Sequence, residues 1–566
     1  MHDVQDDAAQ RWRSLVKTRP FSQSDGSRRA AVPPSPDSLN KRLMMDSPQR
    51  SRAQVSQTRS FSTVFLIEMW ERFGYYGMAA LLVLFMIDKL HFADSRATLT
   101  WGAFTALVYA SPSIGGWIGD KILGTRRTMI FGAIVLAAGY LMLALPDDRL
   151  SFMYASLGVI VVGNGLFKAN AANLVRRIYE GDDARIDSAF TIYYMAVNLG
   201  STASMLATPW IKDHWGWHTA FAVCCAGMLL AVANYFVMFR TLAHIGSAPD
   251  AEPVRWKRVG AVALGGIALG AATMFVLQHK ALAVACVYAA GVAILAIFGY
   301  MLLRCERSER AGLVAALILT AQVILFFVFY VQMSTSLTLF ALRNVDPRFT
   351  LFGETLFTWS AAQFQALNPI WIMILSPLLA LLYTRLATSG KDMPVAVKYA
   401  FGFAVVAAGF FVYAASGRYA VNGRVSSWFM VGGYGLYSLG ELLVSGLGLA
   451  MIARYVPVRM SGFMMGAYFV ATGVSQYLGS VVANFAQMPA GDLDPLESLP
   501  LYTKLFTGLG WLAAVGAVVA VLLLPLMRRL SREHQRCSAD ANDAVKEAAN
   551  EAANEATVQR QAVAQQ

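Results

Sequence analysis

The stretch Glu68-Met69-Trp70-Glu71-Arg72-Phe73-Gly74-Tyr75-Tyr76-Gly77 decides how this chain is read. It lies inside an apolar run that begins near Phe61 and ends near Leu90. Two acids and an arginine within a membrane-length segment are costly, each by about 2.5–3.5 kcal/mol near a helix centre. On a helix, Glu68, Glu71, Arg72, Tyr75 and Ala79 fall within one stripe, because residues three and four apart share a face. That face should look at a polar pathway rather than at lipid.

Working outward, the chain is 56% hydrophobic and only 14% charged, against about 25% charged in soluble domains. This is the composition of an all-α polytopic membrane protein. Apolar runs of about 20 residues, each able to cross a bilayer core, recur at 61–90, 98–119, 127–145, 152–178, 186–208, 217–241, 258–278, 281–303, 312–342, 366–387, 395–415, 426–453, 460–486 and 503–527. The sequence therefore predicts 14 transmembrane helices, sorted as six, two and six. The middle pair carries no acid or Asn and should sit against lipid outside the transport path. The two sixes suggest two bundles with a central site between them. The expected organisation is a tail at 1–58, a six-helix bundle at 59–245, a linker with the inserted pair at 246–310, a second bundle at 311–530 and a tail at 531–566. Both tails are read as disordered and cytoplasmic, and no cleavable signal peptide is evident.

The net charge of +12 does not point to nucleic acid. The basic residues sit in short loops, at Lys121/Arg126/Arg127, Arg176/Arg177/Arg185, Arg255/Lys257/Arg258, Arg304/Arg307/Arg310, Lys391/Lys398 and Arg454/Arg459. These loops share a side with the termini, which the positive-inside rule places in the cytoplasm. Cys224, Cys225, Cys286, Cys305 and Cys537 lack metal-ligand spacing and read as unpaired small hydrophobes. No cofactor and no metal is expected.

Further polar residues interrupt the apolar spans. Lys168 lies deep in the fourth, Asn198 in the fifth, Asn368-Pro369 opens the tenth, and Glu441 stands alone in the twelfth. Singly, each Asn could be interhelical glue. Together they place cations (Arg72, Lys168) in one half and an anion (Glu441) in the other. A zwitterion with an amine and a carboxylate a few ångströms apart fits between such poles. Glu68 and Glu71 are then free to titrate, with protonation that depends on whether the nearby cations are occupied. That coupling is what a proton symporter requires.

Two resemblances rest on these residues. The loop Gly115-Gly116-Trp117-Ile118-Gly119-Asp120-Lys121-Ile122-Leu123-Gly124-Thr125-Arg126-Arg127 resembles the signature loop of the major facilitator superfamily, with one extra residue. Here Asp120 can cap a helix or pair with a loop arginine. The chain also resembles the proton-dependent oligopeptide transporter (POT/PTR) family of that superfamily. Its first-helix motif E-x-x-E-R-F-x-Y-Y-G is matched from Glu68 to Gly77, its G-x-G-x-F-K from Gly163 to Lys168, and its fifth-helix pattern at Phe190, Tyr194, Asn198 and Gly200. Tyr109 and Pro112 match its second helix, and stretches around Gln332, Asn368 and Asp494 resemble the bacterial dipeptide and tripeptide permeases.

The resemblance implies a major facilitator fold with an inserted helix pair. It implies that Arg72, Tyr76 and Lys168 bind a peptide carboxylate and that Asn198, Asn368 and Glu441 bind the amine. Glu68 and Glu71, with Arg72 and Lys168, would couple protons, and Tyr75 and Tyr109 would line the cavity. Four positions depart from the family pattern. Ala79 and Val331 replace an Arg and an acid that form a gating salt bridge in many members, Ser445-Gly446 replaces a Ser-Pro, and Tyr468 replaces a Trp.

The expectation is an inner-membrane, proton-coupled importer of di- and tripeptides, monomeric, partnered by its substrates, protons and lipid. The alternative in the same class carries another small zwitterion or anion, such as an amino acid, a modified peptide or nitrate. No His/Asp/Glu metal cluster, G-x-S-x-G or P-loop supports an enzyme, and a sensor would need a folded soluble domain.

Overall fold

The apolar runs fold as helices whose ends are set by residues that cannot continue them. The computed structural model describes residues 56–147, 149–390, 393–444, 455–486 and 494–537. The tails 1–55 and 538–566, and also Lys391, Ser445-Gly446, Arg454 and Asp492, lie outside the described residues. Helices α1 (Gln57–Leu84), α2 (Asp94–Ala110), α3 (Pro112–Lys121), α4 (Thr125–Ala144), α5 (Leu150–Ile178), α6 (Asp183–Trp215) and α7 (Trp217–Val237) build the first half. The inserted pair is α8 (Trp256–Gln278) and α9 (Lys280–Arg304). The second half is α10 (Arg307–Tyr330), α11 (Ser336–Asn344), α12 (Leu367–Thr388), α13 (Val395–Ser416), α14 (Trp428–Val444), α15 (Val458–Ala483) and α16 (Pro495–Leu522).

These helices fall on the expected spans once two breaks are counted. Pro112 cannot donate a backbone hydrogen bond, so the second span is split into α2 and α3 at Ser111. A 3-10 turn, Val331–Met333, splits the ninth into α10 and α11. By length and composition, nine helical segments among the described residues suffice to cross a membrane. Helix α1 is not one of them, because Glu68, Glu71 and Arg72 fall close together in its centre.

The boundaries moved most where caps act. Helix α16 begins at Pro495, because Asp494 accepts from the Leu496 N–H (2.9 Å) and proline suits the first helical turn. Helix α6 runs on to Trp215 and stops at Gly216, whose φ of 85° admits the reversal into α7. Helix also continues past Ser531 to residue 537, into the stretch expected to be a tail. Among the described residues one element is not helical: β1 (Arg348–Leu351) and β2 (Glu354–Thr358) form an antiparallel hairpin between α11 and α12.

In the first half, α1 packs between α6 and α7 and touches α4. Glycine makes this possible. A Cβ on Gly200 would run into the Met69 carbonyl, and one on Gly77 would stand 2.8 Å from Thr208 Cγ2. Small residues let membrane helices approach closely, where dispersion and not the hydrophobic effect holds them. In the second half, α13 packs on α14 and α16, α10 on α15, and α12 on α14. The halves meet along α2 with α15 and along α6 with α12.

The inserted pair is mostly exposed, as its even apolarity predicts. It also straddles the seam: α8 packs on α5 of the first half and α9 on α15 of the second. A linker fastens it. The start of α4 has no cap of its own, and its open N–H groups are satisfied from residues more than a hundred positions away. Thr125 N donates to Ser247 Oγ (2.9 Å) and Arg126 N to Asp250 Oδ2 (3.1 Å). Asp120 pairs with a loop arginine, as expected, but not with one from its own loop. It pairs instead with Arg177 at the end of α5 (3.2 Å), because Arg126 and Arg127 are spent on linker carbonyls from Leu242 to Glu252.

Candidate functional site

Helix α1 brings its charges together as the stripe predicts. Arg72 Nε lies 3.3 Å from Glu68 Oε1 and also hydrogen-bonds Glu71 Oε2. All three residues are buried, and buried charges persist only when paired. The guanidinium also sits over Tyr75 and Tyr76, 5.4 and 6.0 Å from the ring centroids. The two rings meet edge to face at 5.3 Å.

Lys168 comes from α5 and is half-buried. Its Nζ lies 4.7 Å from the centroid of the Tyr109 ring on α2. No carboxylate among the described residues forms an ion pair with it, although Glu71 and Glu68 act on it electrostatically. An ammonium over a ring face is stabilised by the ring quadrupole and keeps its donors for an incoming anion. Of the two cations, Arg72 is the one that pairs with Glu68 and Glu71.

The opposite pole is built on α12 and α14. Asn368 Nδ2 donates to Glu441 Oε2 (2.7 Å) and to Ser438 Oγ (3.0 Å). Asn368 sits in the first turn of α12, just before Pro369. Both Asn368 and Glu441 are 6% exposed. Glu441 therefore has a neutral partner and no cation among the described residues. Asn198 is buried on α6, and its amide donates back to the Tyr194 carbonyl of its own helix (2.8 Å).

Between the poles lies a tyrosine layer. Tyr76, Tyr109 and Tyr194 from the first half and Tyr330 from α10 all lie within the field of Glu441. Tyr193 on α6 lies beside Glu68. Tyr330 and Tyr193 are given no role by the sequence, because a tyrosine in a membrane span carries no cost that marks it.

The halves are also tied to one another. Arg343, in the last turn of α11, grips Asp94, in the first turn of α2, with Nη2 to Oδ1 at 2.8 Å and Nη1 to Oδ2 at 2.5 Å. Both side chains are 15% exposed, and Nη1 also reaches the Tyr502 hydroxyl (3.0 Å). Bidentate Arg–carboxylate pairs are the strong, directional kind. Thr98 Oγ1 donates to Asn484 Oδ1 (2.6 Å), Gln363 Nε2 to the Leu206 carbonyl (2.9 Å) and Gln365 Nε2 to the Ala80 carbonyl (3.3 Å). All of these contacts fall at the end of the bundle away from the start of α1. Ala79 and Val331 are buried apolar residues, so the link between halves stands at Asp94–Arg343 and not at those positions.

The chain as a whole is similar to known proteins. A profile described as the POT family matches residues 126–499. Dipeptide and tripeptide permease B of Aliivibrio fischeri (strain MJ11) is 40% identical over 483 residues, which is 85% of this chain and 97% of that one. Dipeptide and tripeptide permease A of Escherichia coli (strain K12) is 39% identical over 478 residues, 84% of this chain and 94% of that one. Among solved structures, tetrameric PepTSo2 in space group I4 is similar with a TM-score of 0.77 and 57% identity, covering 84% of this chain and 100% of that one. The peptide transporter POT in complex with sulfate gives a TM-score of 0.72 at 26% identity, covering 87% and 99%.

Proposed function

The chain belongs to the POT family, and on that premise we propose that it is a proton-coupled symporter importing di- and tripeptides by alternating access of its halves. It is a multi-pass membrane protein and not an enzyme. The observation that carries the reading is the division of charge. Arg72 and Lys168 stand in one half, Glu441 in the other, with tyrosines between them. A peptide's carboxylate and amine suit such poles, and relatives named dipeptide and tripeptide permeases supply the substrate class. An anion such as nitrate would gain nothing from Glu441.

In this reading Lys168, Arg72 and Tyr76 hold the carboxylate, while Glu441, Asn368 and Asn198 hold the amine. Tyr75 and Tyr109 form the walls, and Glu68 and Glu71 take the proton. The coupling follows from charge balance. Arg72 and Lys168 together match Glu68 and Glu71, so the ionised cluster is neutral. A peptide carboxylate adds a negative charge and competes with the acids for the cations. A proton on one acid restores neutrality, so peptide and proton favour each other's binding.

We place the protein in the bacterial inner membrane with both termini cytoplasmic. The basic loops among the described residues, at Lys121/Arg126/Arg127, Arg176/Arg177/Arg185, Arg255/Lys257/Arg258 and Arg304/Arg307/Arg310, share the end of the bundle where α1 begins, and the Asp94–Arg343 clamp then closes the periplasmic end. Both poles come from one chain, so the monomer is the transporting unit, although PepTSo2 is tetrameric. The test is uptake of labelled dialanine into proteoliposomes under an imposed pH gradient. Accumulation driven by the acid-outside gradient is expected, and no uptake with either gradient polarity overturns the reading.

A further inference from the structure

Glu71 uses only part of its hydrogen-bonding capacity. It is fully buried; Oε2 accepts from Arg72 Nε, and Oε1 has no partner among the described residues. A buried carboxylate oxygen without a donor is expensive, and such an atom in a native site calls for a partner.

The structure holds an unpaired donor in the same region. Tyr140 on α4 is fully buried, and its hydroxyl also has no partner among the described residues. Its ring packs against α1 where glycine leaves room: a Cβ on Gly74 would stand 3.1 Å from Tyr140 Cε2. Gly74 follows Glu71 by three residues, so the two share a face of α1. Among charged groups, Glu71 acts most strongly on the Tyr140 hydroxyl, ahead of Arg72. Nothing in the peptide site uses this tyrosine.

Resting on the symport reading, we propose that Tyr140 is a positioning residue for proton coupling, the second hydrogen-bond partner of Glu71. Its hydroxyl, directly or through one water, donates to Oε1 of the carboxylate and accepts from the protonated acid. The other titratable groups around this pair are Glu68, Arg72, Tyr75 and Tyr76 on α1, Lys168 on α5, Tyr193 on α6 and Cys224 on α7. None of them supplies Oε1 with a hydrogen bond among the described residues.

The sign of the effect follows from bond strength. A hydrogen bond to a carboxylate is stronger than one to a neutral acid. Removing the hydroxyl therefore favours the protonated form, and the pH profile moves to higher pH. Tyr140→Phe keeps the ring and its packing against Gly74. The measurement is the pH dependence of dialanine counterflow in proteoliposomes for wild type, Tyr140→Phe, Glu71→Gln and the double variant. Tyr140→Phe should raise the midpoint by about one pH unit and should add nothing in the Glu71→Gln background. An unmoved midpoint, or an equal shift without Glu71, overturns the assignment. Wild type that accumulates peptide with the gradient while Tyr140→Phe keeps its midpoint defeats this assignment alone. Wild type without gradient-driven uptake defeats the symport reading.

Discussion

At the first pole, Arg72 is held between Glu68 and Glu71 while Lys168 stands over the ring of Tyr109. At the second, Glu441 has only the neutral amide of Asn368, itself braced by Ser438. The first pole contains its own competitors: two acids and two cations can exchange partners when an anion arrives. The second contains no competing charge among the described residues, so its state changes only when a cation enters. In the proposed reading the first pole responds and the second recognises, with energy coupling in the first half and amine selection in the second.

Substitutions that remove one side of this contrast test it. The largest effect is expected for Lys168→Ala. Truncating one partner of a buried charge contact costs about 2–5 kcal/mol, so gradient-driven dialanine uptake should fall by about 100-fold or more. Wild-type rates would mean that the lysine reaches the interface and takes no part. Next comes Glu441→Gln, which keeps the size and the bond to Asn368 but removes the charge. Free-amine peptides should compete about 10- to 100-fold less well, from the 1.5–3 kcal/mol of a charged hydrogen bond, while amine-blocked peptides change little. Equal losses for both would dissolve the distinction between the poles. The smallest effect is expected at the clamp, which belongs to neither pole. Asp94→Asn should shift the balance toward a periplasm-open form by about fivefold, a weaker penalty because the amide oxygen still accepts one hydrogen bond from Arg343. Spin labels at Leu206 and Gln363 would report the opening, and combining Asp94→Arg with Arg343→Asp should reverse it. An unchanged distance distribution would strip the pair of its gating role.

The legibility of these parts differed for physical reasons. Arg72, Lys168 and Glu441 could be read because a charge in a membrane span is costly wherever it stands, so its presence alone marks a site. Asp94 and Arg343 sit at helix ends, where charges cost little, and their pairing spans 249 positions. Nothing local marks either residue. Ser247 and Asp250 resemble ordinary linker residues until α4 arrives needing a cap. Tyr140 reads as one more aromatic in an apolar run, and only the packing of α4 shows its ring against Gly74.

The sequence by itself determined the helical class, the spans, the stripe of charge on α1 and the opposite sign of the two halves, because bilayer thickness and the cost of buried charge act on local stretches. The tertiary structure alone decided which charges pair. It gave Arg72 to both acids, left Lys168 over a ring, closed one end with Asp94 and Arg343, and packed the Tyr140 ring against Gly74. Those outcomes depend on which helices approach closely, and that is settled by glycine contacts between segments far apart in the chain.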